Sequence, residues 1–392
     1  MFLYYIIYSK ESRTLQVRLF TRTPNTDIIA TMKITTPTII VLVGITGDLA
    51  KRKLLPAINS LREQNLLPDQ FELVGVTRRD DSTLFKMDLG DENDYDRLKK
   101  HLEDIEKKWG MPAQRLFYLS VAPTVSLPII ELLGKVGLSN VPHTKLLLEK
   151  PFGTDLENAE DVLIAIDKHF LDSQVYRIDH YLAKNTVRAL EHHTLQTKDL
   201  KRIEIVASEK IGIEDRGDFY EQTGALRDFI QSHLLEVAAM TLSPEHRLAA
   251  LRQLFIPTQE PITDFVERGQ YNGYRDAVNN PDSVVETKVS IGLVSLDPNL
   301  EGVSLILKTG KALDKKSTDI TLFYKDDQEE VISLNDTENA YENVFKDAMR
   351  GDKKFFISSE EVLETWRILA PAQDAWRKSS DDLFFYEQGS SI

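Results

Sequence analysis

Compact apolar runs separated by amphipathic stretches dominate the first half of the chain. Residues 38–43, 71–76, 116–121, 145–148 and 174–178 are rich in Val, Ile, Leu, Phe and Tyr, and their continuity predicts buried strands. Residues 51–64, 93–108 and 155–170 read as helices. Leu98, Leu102 and Ile105 fall at helical spacing in the second, and Leu156, Ala159, Val162, Leu163 and Ile166 share one face of the third. Strands alternating with helices predict a parallel, doubly wound sheet of Rossmann-like α/β type.

The pattern changes in the second half. Residues 200–208 alternate between apolar and polar positions, 284–296, 302–307 and 318–324 predict further strands, and 269–273 reads as a loop. A helix over 223–242 carries Leu226, Phe229, Ile230, Leu234 and Val237 as its apolar stripe, and two helices, around 340–349 and 359–376, close the chain. The expected division is an N-terminal extension over 1–36, a dinucleotide-binding domain over 37–178 and a second, α+β domain over 179–392.

With 392 residues the chain has room for two cores. A net charge of −14 argues against a nucleic-acid or membrane-surface partner, which would want a basic patch, but leaves room for a small anionic substrate. The absence of cysteine excludes disulfides, thiolate metal sites and cysteine nucleophiles, and fits a reducing cytoplasm. In the extension, Phe2 to Tyr8 is apolar but too short to span a bilayer. The Thr- and Arg-rich stretch behind it resembles a transit peptide but is interrupted by Glu11 and Asp27. Translation is expected to start at Met32, leaving residues 1–31 outside the fold.

Chemistry concentrates at a few turns. After the first strand comes Gly44-Ile-Thr46-Gly47-Asp48-Leu49, where glycines and a helix N-terminus can cradle a phosphate. With only two glycines, an ordinary strand-to-helix turn is equally compatible. Behind the second strand, Arg78 and Arg79 favour the 2′-phosphate of NADP, while Asp80 and Asp81 keep NAD open. Lys150 falls at the carboxyl end of a strand, where such sheets gather ligands, although a structural ion pair would also suit it.

Residues 176–184, Tyr-Arg-Ile-Asp-His-Tyr-Leu-Ala-Lys, gather Asp179, His180, Tyr181 and Lys184. If they open a helix, His180 and Lys184 share a face, a pocket for a small anion beside a carboxylate able to orient a base. His233 interrupts the apolar stripe of its helix; burial would keep it neutral, and Asp179 is a candidate partner. Lys311 and Lys316, on a loop after a strand, can reach an anion or simply be solvated.

These residues together resemble the glucose-6-phosphate dehydrogenase family. The resemblance rests on 44–54, on Glu-Lys-Pro-Phe-Gly at 149–153 and on Arg-Ile-Asp-His-Tyr-Leu-x-Lys at 177–184. It continues through Arg216-Gly217, Leu226-Arg-Asp228-x-x-Gln231-x-His233, Arg268-Gly-Gln-Tyr271 and Thr309-Gly-Lys-Ala-Leu313, and spans about 37–392 in order. It implies a substrate-binding second domain on a largely antiparallel sheet. It implies hydride transfer from C1 of glucose 6-phosphate to NADP, giving 6-phosphogluconolactone, the first oxidative step of the pentose phosphate pathway. His233 would be the base and Asp179 its orienting carboxylate, with no metal. His180, Tyr181 and Lys184 would bind the phosphate, Glu209 and Asp228 the sugar hydroxyls, and Lys311 and Lys316 would complete the site. Lys150 would lie between substrate and coenzyme, and Gly44, Thr46, Gly47, Asp48, Leu49, Arg78 and Tyr118 would bind the coenzyme.

The chain also departs from the family. Ala183 replaces a glycine, and the segments from Arg78 to Tyr118, from Lys184 to Glu209 and after Tyr324 are shorter than usual. The last shortening removes sheet that members use for dimer contacts, so a homo-oligomer is an open expectation. A related sugar dehydrogenase with a changed substrate and a non-catalytic NADP-binding protein are the competing readings.

Overall fold

The computed structural model describes residues 33–258, 261–336 and 338–392, together with the backbone of Ile6–Tyr8 and Thr14–Val17. Among them, seven strands form the first sheet, in the order Phe85–Lys86, Phe71–Thr77, Thr38–Val43, Gln114–Leu119, Thr144–Glu149, Val175–Ile178 and Phe356–Ile357. All neighbours run parallel except the last pair. From Thr38–Val43 the chain first builds to one side and then crosses to the other. The carboxyl ends of Thr38–Val43 and Gln114–Leu119 therefore diverge into a crevice, the usual ligand position of such a sheet.

Helices cover both faces. Leu98, Leu102 and Ile105 of Glu92–Trp109, with Ala159, Leu163 and Ile166 of Leu156–Asp167, bury the stripes expected of them against one face. Asp91 and Asp155 cap these helices through the backbone N–H groups of Asn93 and Asn158. The other face is covered by Leu55–Glu63 and, unexpectedly, by Ala340–Arg350, whose Tyr341, Val344, Phe345 and Ala348 join that core. Phe356–Ile357 then adds an edge strand to the same sheet. The expected cut at 178/179 thus misses a late return of the chain to the first sheet. Its cause is the apolar stripe of Ala340–Arg350, which completes a face left half covered.

The second sheet is ten-stranded and mostly antiparallel among the described residues. Its centre is Leu200–Ser208, flanked by Ser317–Tyr324 (antiparallel) and Ser304–Gly310 (parallel). Ile203, Ile205, Leu307, Ile320 and Leu322 point to one side and pack on the helical stretch Leu226–Leu242. That contact joins the sheet to the helix bearing His233.

Three expectations change. The helix predicted over 223–242 is broken at Gly224 (φ 65°, ψ 174°). It continues as a π-helical stretch, Leu226–Leu234, and then as α-helix, Leu235–Leu242. Glu286 causes the break: its carbonyl accepts from Ala225 N–H and its carboxylate from Leu226 N–H, and a Cβ on residue 224 would lie 2.3 Å from that carboxylate. Residues 269–271, read as loop, end the strand Val266–Tyr271, where Gly269 is needed because the Phe384 ring covers it. In the extension, Ile6–Tyr8 and Thr14–Val17 pair with each other, and the second runs parallel to Glu329–Ser333. An otherwise open sheet edge and β-prone residues account for this pairing. Met32 lies outside the described residues. No helix among these residues is long and apolar enough to cross a membrane.

Candidate active site

Lys150 and Asp179 emerge at the carboxyl ends of neighbouring parallel strands, Thr144–Glu149 and Val175–Ile178. The π-helical stretch brings His233 to them. In a π turn, residues five apart fall close to one face, whereas on an α-helix they diverge. Asp228, Ser232 and His233 accordingly converge on one ammonium. Lys150 Nζ donates to Asp228 Oδ1 (3.2 Å), Ser232 Oγ (3.3 Å) and His233 Nε2 (2.8 Å). On the far edge of the ring, His233 Nδ1 lies 2.8 and 3.0 Å from the two oxygens of Asp179. This network assigns the tautomer: Nδ1–H donates to Asp179, and the Nε2 lone pair accepts from Lys150.

Both members of the pair are buried, His233 at 1% exposure and Asp179 at 2%. Burial, then the nearby Lys150 charge, hold the His233 imidazolium well below the ordinary histidine range, so the ring rests neutral. Burial pushes Asp179 up, against the opposing pull of His180, Lys150 and the backbone N–H groups of Tyr181 and Leu182. Asp179, His180 and His233 present donor atoms within 4.8 Å of one another, a spacing that could hold a metal ion. The Lys150 ammonium against Nε2 opposes a cation there, and the cluster is better suited to moving a proton.

Residues 180–184 form turns rather than the first turn of a helix, which begins at Asn185. Asp179 shapes these turns by accepting from Tyr181 N–H (2.6 Å). The grouping expected from the sequence survives. Tyr181 stacks on His233 with centroids 4.5 Å apart, His180 meets His233 edge-on at 4.4 Å, and Lys184 Nζ sits 3.4 Å above the Tyr181 ring. Burial lowers Lys184 to about 8, and the charge of exposed Lys316 adds to that shift.

Lys311 is 2% exposed rather than solvated. It pairs with Glu209 and lies 3.7 Å from Asp228 Oδ2, so that Asp228 bridges Lys311 and Lys150. Burial raises the Asp228 carboxyl, but Lys150 and Lys311 outweigh it and hold the group well below the carboxylate range.

A cleft of about 560 Å³ opens at the crevice of the first sheet, lined by Gly44, Thr46, Gly47, Arg78 and Ser120 among others. Gly44 has φ +86°, and a Cβ there would lie 2.3 Å from Ser120 O, so the turn is left open for close backbone approach. Asp48 opens the following helix, exposed and paired with Arg52, and half-buried Leu49 packs beneath the turn. Tyr118 does not belong to this cleft. It is fully buried on the sheet's other face against Phe345 and donates to Glu149. Every residue of its strand is buried, so periodicity could not show which way it points. A larger groove of about 660 Å³, lined by His143 and His169 among others, lies at the opposite end of the strands, away from these groups.

Sequence reasoning missed Ser232 and the Glu149–Tyr118–Tyr341 cluster beneath Lys150. Ser232 was within reach, four residues beyond Asp228 on one helix. Glu149, Tyr118 and Tyr341 come from distant segments, and no local pattern shows that they meet.

Two family models match the chain in succession. Glucose-6-phosphate dehydrogenase, NAD binding domain, matches residues 41–84 and 80–189, and Glucose-6-phosphate dehydrogenase, C-terminal domain, matches 188–339 and 330–391. The chain belongs to the glucose-6-phosphate dehydrogenase family. Both matches break where the sequence was expected to be shorter than its family, near 80–84 and 330–339. Glucose-6-phosphate 1-dehydrogenase of Chlamydia pneumoniae is 30% identical, over 91% of this chain and 93% of its own. That of Bacillus subtilis is 28% identical, over 90% and 94%. Two solved structures share the fold. That of glucose-6-phosphate 1-dehydrogenase from Mycobacterium avium has a TM-score of 0.77 at 24% identity, over 91% of this chain and 95% of its own. One of glucose-6-phosphate dehydrogenase in complex with its substrate glucose-6-phosphate has a TM-score of 0.81 at 22%, over 92% and 96%. The chain is therefore an enzyme of this family with a nicotinamide-nucleotide domain.

Proposed function

We propose that the enzyme oxidises C1 of glucose 6-phosphate to the lactone with NADP as acceptor, and that His233 is its base. The observation that carries this reading is the line Asp179–His233–Lys150, in which Nδ1 meets a carboxylate and the Nε2 lone pair meets an ammonium that a substrate hydroxyl can replace. Nε2 takes the proton of the C1 hydroxyl. The C1–H bond breaks with its electron pair, and the C1–O bond becomes the lactone carbonyl. Asp179 remains ionised, holds the tautomer and stabilises the imidazolium. Lys150 gives up its bond to Nε2 when the sugar hydroxyl arrives. His180, Lys184 and Lys316 receive the phosphate, with Tyr181 as the platform between Lys184 and His233. Glu209, Asp228 and Lys311 take the sugar hydroxyls.

The open turn at Gly44 and the cleft around Thr46, Gly47 and Ser120 suit a dinucleotide. Bound there, the coenzyme supplies the hydride acceptor. NADP is favoured because Asp80 is engaged by Lys86 (2.5 Å) and Asp81 by Thr83. Arg78 and Arg79, by contrast, have no carboxylate partner among the described residues, so their charges are available to a 2′-phosphate. We place the reaction in the cytoplasm, in keeping with the cysteine-free sequence.

The test is reduction of NADP and of NAD, followed at the nicotinamide absorbance, with glucose 6-phosphate and with glucose. Turnover with the phosphate ester and a preference for NADP are expected. Faster turnover of free glucose would overturn the substrate, and reduction of neither coenzyme would overturn the activity.

A further inference from the structure

Tyr220 belongs to a small buried cluster with Tyr271, Tyr274 and Tyr386, all in the second domain. Three of these phenols are hydrogen-bonded. Tyr271 accepts from Ile213 N–H (3.4 Å), Tyr274 donates to Glu221 (2.7 Å), and Tyr386 donates to the Lys311 carbonyl (2.9 Å). The fourth is the exception. Tyr220 is 1% exposed, and its hydroxyl has no hydrogen-bond partner among the described residues.

An unpaired buried donor is costly, and here acceptors are close at hand. Asp228, Glu286 and Glu209 all act on this phenol, and burial followed by their charges pushes it well above its ordinary value, so it keeps its proton. Each carboxylate is already engaged: Asp228 with Lys150 and Lys311, Glu209 with Lys311, and Glu286 with Leu226 N–H. The Lys311 ammonium itself stands 5.2 Å from the centre of the Tyr220 ring. A protonated phenol with no acceptor among the described residues therefore lies beside Lys311, one of the groups assigned to the sugar hydroxyls.

We infer that Tyr220 is a substrate-binding residue whose hydroxyl donates to one ring hydroxyl of the sugar, and so helps to select sugar configuration. The inference rests on the function proposed above. Its three phenol neighbours, by contrast, all pair within the protein.

The test compares Tyr220→Phe with the parent enzyme on glucose 6-phosphate and on its 2-, 3- and 4-deoxy analogues, with thermal unfolding of the free proteins measured alongside. The variant should melt no lower than the parent, because it loses only an unsatisfied hydroxyl. KM for glucose 6-phosphate should rise about 3- to 10-fold, the size of one neutral hydrogen bond, with kcat little changed. For the one deoxy analogue that lacks the partner hydroxyl, the two enzymes should have the same KM. An unchanged KM, a penalty equal for every analogue, or a lower melting temperature would each overturn the inference. A parent enzyme inert towards glucose 6-phosphate would instead overturn the function on which it rests.

Discussion

The ammonium of Lys150 lies 2.8 Å from Nε2 of His233, on the edge of the ring away from Asp179. Lysine thus guards the lone pair that must accept the substrate proton. Its charge also adds to burial in keeping the imidazole neutral. A neutral base is needed for the reaction, and the sign follows: activity is lost as pH falls through the His233 pKa. Because that value lies well below the ordinary one, kcat/KM should hold to acid pH. In Lys150→Met one cause of the depression is removed, so the acid limb should move to higher pH as the rate falls. A pH–rate profile of the variant checks this, and an unmoved limb would show that Lys150 does not help to set the base.

Asp179 acts from the other edge. An asparagine would fit its place, but its NH₂ could face Nδ1 and drive the ring proton to Nε2, leaving no lone pair for the substrate. Asp179→Asn should lower kcat by about 10²–10⁴ while leaving affinity for the phosphate ester nearly intact. Steady-state kinetics with a direct binding measurement separate the two effects. A variant with parental kcat would remove Asp179 from the proton path.

What could be read from the sequence was local. Asp179, His180, Tyr181 and Lys184 sit within six positions, so any compact turn there brings them together, and the error over helix against turn cost nothing. The Gly44–Gly47 turn was readable for the same reason, since a strand, two glycines and a helix are contiguous. Lys311 was not, because its burial depends on Glu209 and Asp228, which arrive from another strand and from the His233 helix. Nor was the π-helical stretch. Its start is imposed by Glu286, sixty residues beyond Leu226 in sequence, and the apolar stripe fits an α-helix well enough to hide it. The direction of Tyr118 was hidden for a further reason: a strand buried on both faces has no polar side to orient it.

Lys184 makes the affinity for the phosphate ester pH-dependent. Its ammonium lies over the Tyr181 ring, and burial brings its pKa down to about 8. A lysine with a depressed pKa is charged below that value and neutral above it. KM for glucose 6-phosphate should therefore climb above about pH 8, by up to about tenfold per pH unit. In Lys184→Arg the guanidinium stays charged and can still stack on the ring, so KM should stay flat over the same range. Equal climbs in the two enzymes would contradict the role given to Lys184.

Glu149 offers a stability counterpart. It lies beneath Lys150, and Tyr118 donates to it. Burial pushes it up to about 7, against the pull of its hydrogen bonds with Tyr118 and Tyr341. The unfolded chain releases this proton near 4.5, so between 4.5 and 7 the folded state holds a proton that the unfolded state has lost. Its contribution to stability is therefore full below 4.5 and is lost as pH rises through 7. Glu149→Gln carries no titrating proton and should show no such loss. The melting temperature of the variant relative to the parent should rise between about pH 5 and 8, and other titrating groups cancel in the difference. A difference that stays flat across that range would mean that Glu149 is ionised throughout, its charge balanced by Lys150 rather than by a retained proton.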